Sequence, residues 1–198
     1  MRPANLLDYD VLLYRNQGWL GAGIAWGEWG GEDPGADLDY SHVALVYDVA
    51  KGLAFEMNPP SAHTFALDTV PWDRVDVYRL MLKGMPLFQQ LTAVGSADSR
   101  LKKFLGPPPE PYDYGFIGKC LGADLAARVG LVGVATWLMQ QNQMVQHQAV
   151  CSNTAEAVIE AGLWQVSPQS VLRPAGIGED DMRPCDWPAS PLVAKVAV

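Results

Sequence analysis

Apolar positions fall into short runs in the first half of the chain and into longer, helix-permitting runs in the second. Asp10-Val11-Leu12-Leu13-Tyr14-Arg15 reads as a strand that enters the core. Ser41 to Asp48, Leu53 to Met57 and Asp76 to Leu80 read as three further strands of an antiparallel meander, with turn chemistry at Ala50-Lys51-Gly52 and Pro59-Pro60-Ser61. If the first turn centres near Ala50, Ala44 lies opposite Glu56. His42 then becomes the diagonal neighbour of Glu56 on one face, about 7 Å away by backbone, a gap two side chains can close. A helix is predicted from Pro86 to Leu105 on Leu87, Phe88, Leu91, Leu101, Phe104 and Leu105, with Gly95-Ser96 as a point of bending. Gly106-Pro107-Pro108-Pro109-Glu110-Pro111 breaks it, and a second helix-permitting stretch runs from Gly115 to Gln146, weakened by its glycines. Ser152 to Ala161 is predicted as a short helix ended by Gly162, with Ala155, Val158 and Ile159 facing the core. From Ser167 the tail carries Pro168, Pro174, Pro184, Pro188 and Pro191 and reads as an irregular surface strap. The expected fold is α+β, one domain over residues 1–198.

Composition narrows what such a fold would do. With 49% hydrophobic and 18% charged residues, the chain can bury a core without disulfides. A net charge of -8 and no basic run beyond Lys102-Lys103 argue against nucleic acid as a partner. Cys120, Cys151 and Cys185 are an odd number without close spacing, so neither a disulfide framework nor a zinc site is indicated. No metal and no cofactor are expected. The N-terminus has no apolar run suited to a signal peptide, which predicts a cytoplasmic protein in a reducing setting. Leu131 to Met139 is too short for a transmembrane segment, since spanning needs about 20 apolar residues, and reads as a buried or interfacial helix with peripheral membrane contact as its reach.

The chemistry concentrates at Cys151. It stands where Ser152 and Asn153 favour the start of a helix, and unpaired N–H groups at a helix N-terminus favour thiolate. A buried structural cysteine is the alternative. A thiol nucleophile needs a base, and His42 has the most rigid predicted support of the three histidines; His63 falls in the Pro-rich turn and His147 at a Gln-rich helix end. Glu56, between Phe55 and Met57, is a carboxylate in an apolar strand that would be costly to bury unpaired, and an imidazole N–H would satisfy it. An exposed edge-strand Glu56 is the other reading. Tyr40, Ser41 and Ser152 flank the base and the nucleophile, and Trp26 lies in the Gly- and Trp-rich segment from Gly18 to Asp39. These four are the candidate cleft residues, although Trp26 and Trp29 equally suit plain hydrophobic anchoring.

Taken in chain order, the strand Asp10 to Arg15, Tyr40-Ser41-His42-Val43, Phe55-Glu56, Tyr112-Asp113-Tyr114 and Val150-Cys151-Ser152 resembles the permuted papain-fold cysteine amidohydrolases of the NlpC superfamily, in particular its YiiX-like branch. The resemblance implies a circularly permuted papain-like antiparallel sheet or small barrel packed against helices. It implies Cys151 as nucleophile, His42 as base and Glu56 as orienting carboxylate, acting on a peptide, amide or lipid-amide substrate through a thioester. Relatives of this type include lipid-acting enzymes of the lecithin-retinol acyltransferase kind. The N–H of Cys151 itself is the expected oxyanion donor. Two positions depart from the pattern: Asn153 stands where an acidic residue is common, and Tyr9 where a glycine often precedes the first-strand Asp. A catalytically silent binding or structural protein with the same fold is the alternative from outside enzymology.

Overall fold

Val11, Leu12 and Leu13 are all fully buried, which a strand achieves only when both faces of its sheet are covered. In the computed structural model this strand, β1 (Val11–Arg15), lies between β2 (Tyr40–Asp48) and β5 (Val75–Leu82). The structure describes residues 1–15, 40–82, 85–86, 91–113, 115, 118–119, 122, 125–126, 129–143, 151–167, 170, 172–174 and 184–196. With β3 (Leu53–Asn58), β4 (Ser61–Ala66) and β6 (Met85–Pro86), the sheet order is β4-β3-β2-β1-β5-β6. A final strand, β7 (Val193–Lys195), pairs with β5 through Tyr78, Arg79 and Leu80. Every described pairing is antiparallel. The helices are α1 (Leu91–Phe104), α2 (Val132–Gln143) and α3 (Cys151–Val166). The class is α+β, as the pattern predicts.

Strand alternation divides the core. Val11, Leu13, Val43, Leu45, Phe55 and Met57 pack with Leu101 of α1 and Val158, Ile159 and Leu163 of α3. The opposite face carries Leu12, Ala44, Val46, Ala54 and Val77 beneath Leu67 and Val70. Burying a leucine or isoleucine at such positions is worth about 1.5–3 kcal/mol, so the stripe on α3 ties the start of that helix firmly to the sheet.

Several expectations are corrected. The strands are not a simple meander: β5 pairs with β1 rather than with its predecessor in sequence, because β1 is the central strand. Ser61 to Ala66 is a strand, not the end of a turn, and its ladder to β3 satisfies backbone groups that a turn would leave to water. The Pro-rich breaker is held against it, with Ala62 N–H donating to the Glu110 carbonyl at 2.9 Å and Tyr112 N–H to that of Pro60 at 3.0 Å. α1 is described from Leu91, not Pro86; Pro86 belongs to β6, and 87–90 lie outside the described residues. Gly162 does not end α3. It is buried inside the helix, and Leu163, one residue on, is in the core, so packing overrides the modest helix cost of glycine. The tail is not a surface strap: Leu172 and Trp187 are fully buried and β7 completes the edge of β5.

Tyr9, one of the two departures, occupies the left-handed region at φ 66°. That conformation suits glycine and strains a side chain, and here the ring is buried in the core while its N–H donates to the Val46 carbonyl at 2.7 Å. Core packing stands in for glycine's freedom.

Candidate active site

β2 enters the site with a bulge. Tyr14 pairs with His42 and Arg15 with Tyr40, so Ser41 is the extra residue. Without it, Tyr40 and His42 would share a face. With it, Tyr40 turns into the core cluster of Val43 and Leu45 while His42 stays on the face of Ala44. Two strand residues on, Ala44 pairs with Glu56, the register expected from the turn near Ala50. His42 Nε2 lies 2.7 Å from Glu56 Oε2. The ring of Tyr14 meets that of His42 edge-on at 5.4 Å, which limits its rotation.

Cys151 is the first residue of α3 and is half-buried. Its sulfur hydrogen-bonds the His42 ring and the backbone N–H groups of Val43 and Ser152. Because Nε2 of His42 is engaged by Glu56, Nδ1 is the nitrogen left for the thiol. Burial works against ionising Cys151, but the charge and hydrogen bond of His42, with the two backbone N–H groups, outweigh it and hold the thiol below its ordinary range. Burial likewise disfavours a charged His42, and Cys151 first and Glu56 second carry it up to about 10. Glu56 is lowered despite its burial, chiefly by the hydrogen bond and charge of His42. Each group thus favours the charge of its neighbour: His42 draws the Cys151 thiol and the Glu56 carboxyl down, and they draw its imidazole up.

The helix that carries the thiol is fixed at both ends of its buried face. Trp187 Nε1 donates to Ser152 Oγ at 3.0 Å, and Arg173 donates to Glu156 at 2.6 Å and to Glu160 at 3.0 Å. Ser152 is accordingly not a cleft residue by its side chain: its hydroxyl is buried and accepts from Trp187, while its backbone N–H serves the thiol. Tyr40 is not one either. It is 1% exposed, and its hydroxyl donates to Asp76 Oδ2 at 2.5 Å. Asp76 in turn takes the Arg15 fork and Lys195, a polar knot beside the bulge rather than part of the cleft. Ser41 is half-buried at the bulge itself. Trp26 lies outside the described residues.

Two site residues escaped the sequence. His63 sits on β4 directly opposite Glu56, with Nε2 3.0 Å from Glu56 Oε1, and Asn58 donates to the same oxygen at 3.3 Å. The alternation Ala62-His63-Thr64-Phe65 beside the apolar β3 was the available signal, hidden by the adjacent proline pair. Among the described residues no group of three or more His, Cys, Asp or Glu is disposed to hold a metal ion.

Comparison with family models, curated proteins and solved structures found no match to this chain. A helix-terminal thiol, an imidazole bonded on both nitrogens and a carboxylate can generate a nucleophile, deliver a proton to a leaving group and stabilise the cation formed between those steps.

Proposed function

We propose that this chain is a cysteine hydrolase of an amide bond, a peptidase or amidase with a permuted papain-like arrangement, in which Cys151, His42 and Glu56 do the chemistry. One observation carries the reading: the His42 ring interacts with both the helix-terminal thiol and Glu56, with its Nε2 on the carboxylate. The order of strand histidine, next-strand carboxylate and helix-start cysteine, with α3 packed on an antiparallel sheet, supports the papain-like assignment.

In the proposed cycle the Cys151 thiolate attacks the carbonyl carbon, forming the C–S bond as the carbonyl π electrons move to oxygen. The N–H of Cys151 receives that oxyanion, a contact worth about 2.7–4 kcal/mol where single donors have been removed. His42 Nδ1–H protonates the departing amine as the C–N bond breaks, leaving a thioester and neutral imidazole. His42 then takes a proton from water, the water oxygen attacks the thioester, and the thiolate returns with the imidazolium. Glu56 stays ionised and holds the ring.

A lipid-directed amidase or acyltransferase is the second reading, favoured by one observation. Leu131, Val132, Val134 and Trp137, at and within α2, are exposed, and α2 carries no charged residue. No helix among the described residues is long and apolar enough to cross a membrane. Co-sedimentation with zwitterionic liposomes distinguishes the readings, since a peptide amidase stays in the supernatant. The catalytic proposal itself is tested by iodoacetamide at neutral pH with the modified residue mapped. Cys151 is expected to react at least about tenfold faster than Cys120 and Cys185, and to lose that advantage in His42→Ala. Equal rates at all three thiols would leave a binding or structural protein.

A further inference from the structure

We infer that His63 is a positioning residue of this site: it grips the second oxygen of Glu56 so that the first stays on His42. This rests on the proposed Cys151-His42-Glu56 chemistry and adds a fourth member to it.

A glutamate carboxylate rotates easily about its last torsion, and a hydrogen bond to His42 on one oxygen does not fix its plane. The register supplies a close contact on the other oxygen. Glu56 and His63 are directly opposed on β3 and β4, and Nε2 of His63 reaches Oε1 at 3.0 Å while Nε2 of His42 reaches Oε2 at 2.7 Å. Asn58 donates a hydrogen bond to the same oxygen at 3.3 Å from an exposed position, so His63 is the less exposed of the two groups there. The His63 ring is itself fixed, because Nδ1 lies 2.9 Å from the Ser61 carbonyl and the ring stands 6.4 Å from that of Phe65.

Both ring nitrogens of His63 face acceptors, a carbonyl on one side and a carboxylate on the other. Cys151, His42, Glu56 and His63 thus stand in one row, each beside the next. His42 depends on this row from one side only. If Glu56 turns away, the ring loses the bond that sets which nitrogen faces the sulfur, and thiolate is lost with it.

The test uses the full chain and needs no substrate. The rate of iodoacetamide alkylation at Cys151 is measured at neutral pH for the wild type, His63→Ala, His63→Gln, Glu56→Gln and the double variant Glu56→Gln with His63→Ala. His63→Ala is expected to slow Cys151 about fivefold, and His63→Gln, whose amide N–H can replace the donor, to recover the wild-type rate to within about twofold. In the Glu56→Gln background, His63→Ala should add nothing, because its effect passes through that carboxylate. The inference is overturned by a His63→Ala rate equal to wild type, by a failure of glutamine to restore it, or by a fivefold loss that persists without Glu56. A wild-type Cys151 no faster than Cys120 and Cys185 overturns the proposed function as well; a fast Cys151 indifferent to residue 63 overturns this inference alone.

Discussion

Two buried carboxylates on this sheet meet opposite fates. Asp10, 1% exposed, is gripped by the Arg79 fork, with Nε to Oδ1 and Nη2 to Oδ2 both at 2.8 Å, and also accepts the Leu7 N–H. Burial still pushes its pKa up against the pull of Arg79. Glu56 is less buried, is hydrogen-bonded by His42 and Asn58 with His63 alongside at 3.0 Å, and is held down. What separates them is the donor. A guanidinium does not release its proton in a protein, so the Asp10 pair only fastens the N-terminal segment to β5, with Arg79 also reaching the Asn5 carbonyl at 2.6 Å. An imidazole can give up a ring proton, so the Glu56 row can do chemistry.

The contrast breaks most readily at Arg79. Arg79→Ala leaves a buried, unpaired carboxylate and is expected to cost about 3–5 kcal/mol in urea unfolding, with little change in Cys151 alkylation under native conditions. A variant that loses reactivity without losing stability would show that the two carboxylates are not independent. His42→Ala should instead act on both readouts. Alkylation of Cys151 at pH 7 is expected to fall at least about tenfold, and the urea midpoint to fall as well, because the thiol and Glu56 lose their shared partner.

The pH response sharpens the same point. Between pH 8 and pH 6 an ordinary thiol loses on the order of 10²-fold in thiolate. Cys151, lowered by His42, should lose a smaller factor in alkylation rate over that range, and a loss as large as the ordinary thiol's would remove the His42 effect. His42 is raised, so its contribution to stability is complete below its unfolded value and is lost as pH rises through about 10. Glu56 and Cys151 are lowered, so theirs are present above their unfolded values and lost as pH falls through the folded ones. Smallest of all is Lys51→Ala. Lys51 meets Asp48 at 2.7 Å but is largely exposed, and its loss should leave both urea midpoint and Cys151 reactivity unchanged.

The hairpin from β2 to β3 was readable because a short turn near Ala50 fixes the register, and register brings Ala44 to Glu56 and His42 within reach. The start of α3 at Cys151 was readable from the polar residues that follow it. Tyr40 was misjudged because a bulge at Ser41 shifts the facing of everything before it, and no local residue type announces such a shift. His63 was missed because Pro59-Pro60 reads as a turn and drew Ser61 to His63 in with it. Trp187 was hidden by the prolines around it; its burial depends on α3 and β2, far away in sequence, and no window of nearby residues contains that information.

The bond from Trp187 to Ser152 makes the C-terminal tail part of the support of Cys151. A chain cut before residue 187 would keep His42, Glu56 and Cys151 but lose the indole that anchors the residue beside the thiol. Clipping the tail would therefore loosen the thiol without touching any of the three groups around it.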